Sequence, residues 1–126
     1  MDFINSRPIY QQIIEHIKTM LLQGKLKPGD KIPSQRELAE ELRVNPNTIQ
    51  RAYREMENMG LTETLRGQGT FVVQKEGLIK ELHEEIAGGL LNEFLQQIKA
   101  LGYEDKEIIS LVKTGLEGLR GETKND

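Results

Sequence analysis

The chain has no cysteine among its 126 residues, which excludes a disulfide framework and any thiolate metal site. It has no apolar run approaching the roughly 20 residues that a membrane-spanning helix needs. A secretory leader is not expected either: Asp2 and Asn5 stand where a basic segment would be, and no long apolar stretch follows. These absences lead to the expectation of a cytoplasmic protein that does not enter a membrane. Histidine is scarce, with only His16 and His83, both on expected helix surfaces. General acid–base or nucleophilic chemistry needs such groups brought together, so an enzyme is not expected. His83 lies among Glu81, Glu84 and Glu85, but that spacing matches no metal-ligand box and reads as a solvated charged face. No metal and no cofactor are expected.

A basic excess is also missing. The formal net charge is −3, and the two parts of the chain differ. Residues 1–76 hold 11 Lys and Arg against 10 Asp and Glu, or +1, while residues 77–126 hold 6 against 10, or −4. Charge alone therefore does not point to nucleic acid, although a DNA reader needs only a local basic face.

What is present is organised around residues 34–59. Ser34-Gln35-Arg36-Glu37 is a capping box, in which Ser34 accepts from the backbone three residues on and Glu37 reaches back. Leu38, Ala39 and Leu42 follow at helical spacing. Arg43-Val44 breaks the pattern, and Asn45 with Pro46 supplies an N-cap and a first helical position that needs no N–H. Ile49, Ala52, Tyr53 and Met56 form the buried stripe of a second helix, and Gly60 stops it. Asn47, Thr48, Gln50 and Arg51 lie off that stripe in its first turns. This is a helix-turn-helix arrangement, in which the second helix enters the major groove N-terminal end first.

Upstream, Pro8 opens a helix over residues 8–23 with Ile9, Tyr10, Ile13, Ile14, Ile17, Met20 and Leu21 on one stripe, and Gly24 ends it. Leu26-Lys27-Pro28-Gly29-Asp30 is a type II turn anchored by Leu26 and Ile32. Lys25, Lys27 and Lys31 around it are either solvated surface or phosphate contacts. Downstream, Leu61 to Thr64 and Thr70 to Val73 are strands joined through Leu65-Arg66-Gly67-Gln68-Gly69, a β-hairpin placed as the wing of a winged helix. Gly67-Gln68-Gly69 is no dinucleotide fingerprint, since a third glycine and a following helix are absent. A plain turn explains the glycines; the neighbouring Arg66 favours a tip that faces DNA.

Gly77 begins a different segment. From Ile79 to Leu101 apolar residues step by three and four, interrupted by Gly88-Gly89, which either kinks the helix or lets another backbone approach. A last helix spans residues 105–119, followed by a polar, frayed tail at 121–126. Two such apolar faces must be covered by the first domain or by a second copy, and helix-turn-helix proteins read paired half-sites as dimers. The expected architecture is α+β and mostly helical: a winged helix-turn-helix domain over 1–76 and a two-helix dimerisation tail over 77–126. Any small effector would occupy a crevice between subunits or between tail and reader, with Phe94 and Tyr103 as lining aromatics; control by protein level alone is the other possibility.

Three runs, "PIYQQIIEHI…GKLKPGDKIPSQRELAEEL", "RVNPNTIQRAYREMENMGL" and "RGQGTFV", carry a family likeness. Together they resemble the DNA-binding domain of the GntR family of bacterial transcription regulators, from about Pro8 to Val73. The short tail resembles that of the YtrA-like subfamily, whose members are typically dimeric repressors of membrane-transporter operons. The resemblance implies that Arg36 reads a guanine, that Asn45 to Arg51 contact bases and phosphates, and that Arg66 and Gly67 enter the minor groove. Two positions depart from many relatives, which have arginine where this chain has Pro46 and Gln50. Proline there offers neither N–H nor charge, and glutamine suits adenine better than guanine.

The candidate DNA-contacting set is Ser34, Arg36, Asn45, Asn47, Thr48, Gln50, Arg51, Arg54, Arg66, Gly67 and Gly69, with Arg51 and Arg54 as phosphate contacts. The expected partners are a double-stranded palindromic operator, a second copy of the chain and a possible small effector. The rival reading is a winged helix used to bind protein, which the acidic balance keeps open.

Overall fold

The computed structural model describes the backbone of residues 1–125 and the side chains of residues 1–121. Its elements run α1 (Ile9–Leu22), β1 (Lys31–Ile32), α2 (Gln35–Leu42), α3 (Pro46–Asn58), β2 (Thr62–Leu65), β3 (Gly69–Val72), α4 (Leu78–Ala100) and α5 (Asp105–Asn125). The chain divides into two compact units, Met1–His83 and Glu84–Asp126.

In the first unit, three helices and a small sheet enclose one core. The α1 stripe contributes Ile13, Ile14, Ile17 and Leu21, and α3 contributes Ile49, Ala52, Tyr53 and Met56, all buried. Ile49, Ala52 and Met56 have no exposed surface at all. The expected Pro-Gly turn forms as Lys27–Asp30, with the Asp30 N–H donating to the Lys27 carbonyl at 2.9 Å and Gly29 at φ +90°. That positive φ is what a type II turn requires at its third position, and glycine takes it without steric cost.

The sheet has three strands, in the order β1-β3-β2, rather than the two of the expected hairpin. Lys31 faces Phe71 and Ile32 faces Thr70, so the short segment after the Pro-Gly turn docks antiparallel on β3. Two residues are too few to show a period-two pattern in sequence; the tertiary placement of the turn makes this strand. On the wing side Thr62 pairs with Val72 and Leu65 with Gly69. Alternation along β3 sends Thr70 and Val72 inward. Thr62 is buried as well, and its Oγ1 has no hydrogen-bond partner among the described residues.

The N-terminal segment is held by a residue whose polarity masked it in the sequence. Gln12 is buried on α1: its amide donates to the carbonyls of Ile4 (2.8 Å) and Arg7 (2.9 Å), and its Oε1 accepts from the Ile4 N–H (3.0 Å). Three hydrogen bonds offset the desolvation of the amide. Beyond the wing, Leu78 and Leu82 at the start of α4 belong to the same core, so it extends past Gly77.

The second unit contains the rest of α4 and α5. Gly88 and Gly89 lie within α4, which continues as helix through both, and a Cβ at either would meet nothing within 4 Å. Ile108 is buried, but Leu90, Leu91, Leu101, Ile109, Leu111, Val112, Leu116 and Leu119 are all exposed. The last helix extends to Asn125 rather than stopping at 119 with a frayed tail. Gly118 and Gly121 weaken a helix by about 1 kcal/mol each relative to alanine, which is less than a break requires. Asp126 lies outside the described residues.

Candidate nucleic-acid interface

The two helices of the reader are set by their caps. Ser34 Oγ accepts from the Glu37 N–H at 3.1 Å, and the Ser34 N–H donates to Glu37 Oε1 at 3.3 Å, completing the capping box. Hydrogen bonding with Ser34, through its side chain first and its backbone second, holds the Glu37 carboxyl below the usual carboxylate range; Lys31 adds to this. Asn45 Oδ1 accepts from the Asn47 N–H at 2.8 Å, with Pro46 at the first helical position. Ser34 and Asn45 therefore have structural duties; the Ser34 hydroxyl proton and the Asn45 amide protons are left for other acceptors.

Between the helices, Arg43 takes the left-handed conformation at φ 54°, and the Val44 N–H closes on the Ala39 carbonyl at 3.1 Å. This Schellman-type ending sets the angle at which α3 leaves α2. A second constraint is part-buried. The Tyr53 hydroxyl, on α3, donates to the Pro33 carbonyl at 2.5 Å, tying the middle of α3 to the approach to α2.

With the α3 stripe buried, the rest of its first turns faces out. Asn47, Gln50, Arg51 and Arg54 are exposed and Thr48 is half-buried. Arg36 projects from α2 with 89% of its side chain exposed, its Nε 3.4 Å from Glu40 Oε1. An open hollow of about 470 Å³ beside it is lined by Gln35, Arg36, Ala39, Glu40 and Pro46. Arg66 and Gly67 are exposed at the turn between β2 and β3, where Gly67 has φ +78° and the Gln68 N–H donates to the Leu65 carbonyl at 2.9 Å.

Gly69 has a φ of +124°, and a Cβ there would stand 2.6 Å from Lys31 Cε and 3.3 Å from its Nζ. The glycine leaves room for the Lys31 stem to lie along the base of the wing. This adds an exposed cation that the sequence left open between surface and site. Its place beside the wing was not legible in the sequence, because Lys31 reaches Gly69 from a strand too short to show a pattern.

Arg51 is also not a bare surface arginine. Its guanidinium carbon lies 4.0 Å from the centroid of the Tyr10 ring, and an Nη2–H donates to the Tyr10 hydroxyl at 3.2 Å. The effector candidates lie elsewhere: Phe94 is half-buried on α4, and Tyr103 is exposed in the turn before α5. Among the described residues no group of three or more His, Asp or Glu side chains is placed to hold a metal, and no helix is long and apolar enough to cross a membrane.

A reader built from a capped helix pair and a wing has a counterpart in known proteins. Residues 9–72 match the family described as "Bacterial regulatory proteins, gntR family". The chain belongs to the GntR family. It is 38% identical over 132 aligned positions to the HTH-type transcriptional repressor YtrA of Bacillus subtilis (strain 168), covering 100% of this chain and 98% of that protein. A solved GntR family transcriptional regulator from Listeria monocytogenes superposes with a TM-score of 0.81 at 41% identity, over 89% of this chain and 98% of that one. AraR(DBD), solved in complex with operator ORR3, is similar over 58% of this chain and 88% of its own, with a TM-score of 0.51 and 34% identity. The winged helix-turn-helix reading and the likeness to YtrA both hold. This GntR-family chain is a DNA-binding transcriptional regulator, and these relatives are transcriptional regulators too.

Proposed function

We propose that the protein is a repressor that binds a palindromic operator as a homodimer. The observation that carries this reading is the exposed apolar surface of the second unit. Leu101 is 73% exposed, Leu90 65% and Leu119 60%, and five further large apolar side chains of α4 and α5 are exposed with them. Apolar surface on this scale marks an interaction site. A second copy of the chain is the partner that suits a DNA reader, because two-fold protein symmetry matches two half-sites one helical turn apart. In this reading residues 1–76 carry the reader, completed by Leu78 and Leu82, and the remainder of 77–126 carries dimerisation.

Arg36 and Gln50 read bases. Asn47, Thr48 and the free donors of Ser34 and Asn45 fix the register, while Arg51, Arg54 and Lys31 neutralise phosphates. Arg66, with Gly67 and Gly69 shaping the turn, enters the minor groove. Repression is supported by the likeness to the YtrA repressor, and control of a membrane-transporter operon by the resemblance of the short tail to the YtrA-like subfamily. A small effector, if one acts, lies between subunits near Phe94 and Tyr103.

Selection of bound duplexes from a random pool tests the proposal. The expected product is an inverted repeat with half-sites about 10 base pairs apart between centres, or a multiple of that spacing. Recovery of single, unpaired sites would contradict it.

A further inference from the structure

Tyr10 belongs to α1, outside the helix pair that carries the proposed base readers. Its half-buried ring nevertheless lies under the Arg51 guanidinium, and its hydroxyl accepts from Arg51 Nη2 and from Gln11 Nε2, each at 3.2 Å. Arg51 is exposed in α3, 41 residues further along the chain. A solvated arginine samples many rotamers and must lose that freedom when it grips a phosphate. The ring face and the hydroxyl together restrict it beforehand. Cation–π attraction holds the guanidinium over the ring face, and the hydrogen bond to the hydroxyl ties one of its nitrogens to the ring's edge. A guanidinium has five N–H donors; the Tyr10 hydroxyl engages one and leaves a fork free.

We infer that Tyr10 is a positioning residue for DNA binding, holding Arg51 in the orientation from which its remaining donors reach a phosphate oxygen. This rests on the reading that Arg51 faces the DNA backbone. Binding strength thereby depends on how α1 packs against α3, and a change in α1 alters phosphate contact without touching DNA.

The test is a double-mutant cycle on the full-length chain, with Tyr10→Phe, Tyr10→Leu, Arg51→Ala and both double variants. Each is titrated at several salt concentrations on a duplex obtained by the random-pool selection. Arg51→Ala should lower the slope of log affinity against log salt by about 0.9. Tyr10→Leu should weaken binding about threefold and Tyr10→Phe less, and both losses should vanish in the Arg51→Ala background. Where Tyr10→Leu disturbs the fold, seen as a lowered melting temperature, the Tyr10→Phe cycle decides instead. Equal losses in both backgrounds would show that Tyr10 acts through the fold and not through Arg51, leaving the phosphate role of Arg51 intact. An unchanged affinity and slope for Arg51→Ala would overturn that role and the inference with it.

Discussion

Removing one oxygen from the core tests how the reader is held rigid. Tyr53 is 3% exposed, and its hydroxyl donates to the Pro33 carbonyl at 2.5 Å. Tyr53→Phe keeps the ring and its packing, so no large cavity opens. What is lost is one part-buried hydrogen bond, and the Pro33 carbonyl loses this partner; together these cost about 1–2 kcal/mol. The first unit spans residues 1–83, a size for which 1 kcal/mol corresponds to about 4–8 °C of melting temperature. The expected drop is therefore about 4–16 °C by calorimetry or circular dichroism. A pH signature accompanies it. Burial, with Glu37 and Glu41 nearby, pushes the Tyr53 hydroxyl above the ordinary tyrosine value of 10. Below that value both folded and unfolded chains keep the proton, and Tyr53 contributes no pH dependence. Above it the unfolded chain releases the proton first, so the folded state binds more protons and stability falls as pH rises, by up to about 1.4 kcal/mol per unit. The gap between wild type and Tyr53→Phe should hold steady below pH 10 and shrink above it. A variant as stable as wild type at neutral pH, or a gap that widens in alkali, would refute the assignment.

Other substitutions probe separate parts. Thr62→Val removes a buried hydroxyl that has no partner among the described residues, and should raise stability by about 1 kcal/mol in chemical denaturation. Arg36→Ala and Gln50→Ala should each cost about 1–3 kcal/mol on the selected operator and relax preference at one base pair; equal losses on every sequence would reassign both as backbone contacts. Arg66→Ala should lower the salt slope by about 0.9, and an unchanged slope would remove the wing tip from the interface.

The reader was legible because its instructions are local. Ser34 with Glu37, and Asn45 with Pro46, mark two helix starts within twelve residues, and the stripe from Ile49 to Met56 has one period throughout. Features that depend on distant partners were not legible. Lys31 and Ile32 become a strand only because β3 is there to receive them. Gln12 is polar, and only the carbonyls of Ile4 and Arg7 make it a core residue. The contact of Tyr10 with Arg51 joins residues 41 apart, each of which already had a sufficient local explanation. The stripe on α4 reads as one continuous face, yet Leu78 and Leu82 lie in the core of the first unit while Leu90 and Leu91 are exposed. Periodicity shows that a face will be covered, not what covers it. For the same reason Gly77 looked like a boundary, although the core continues to Leu82, five residues beyond it.

The most direct test of the proposed dimer is sedimentation of the chain cut after His83, a point chosen to retain Leu78 and Leu82. The full-length protein should sediment as a dimer. The shortened form should be a folded monomer that binds a single half-site, and binds the full operator far more weakly than the intact chain does. A shortened form that stays dimeric and keeps full operator affinity would contradict a dimer built on the exposed faces of α4 and α5.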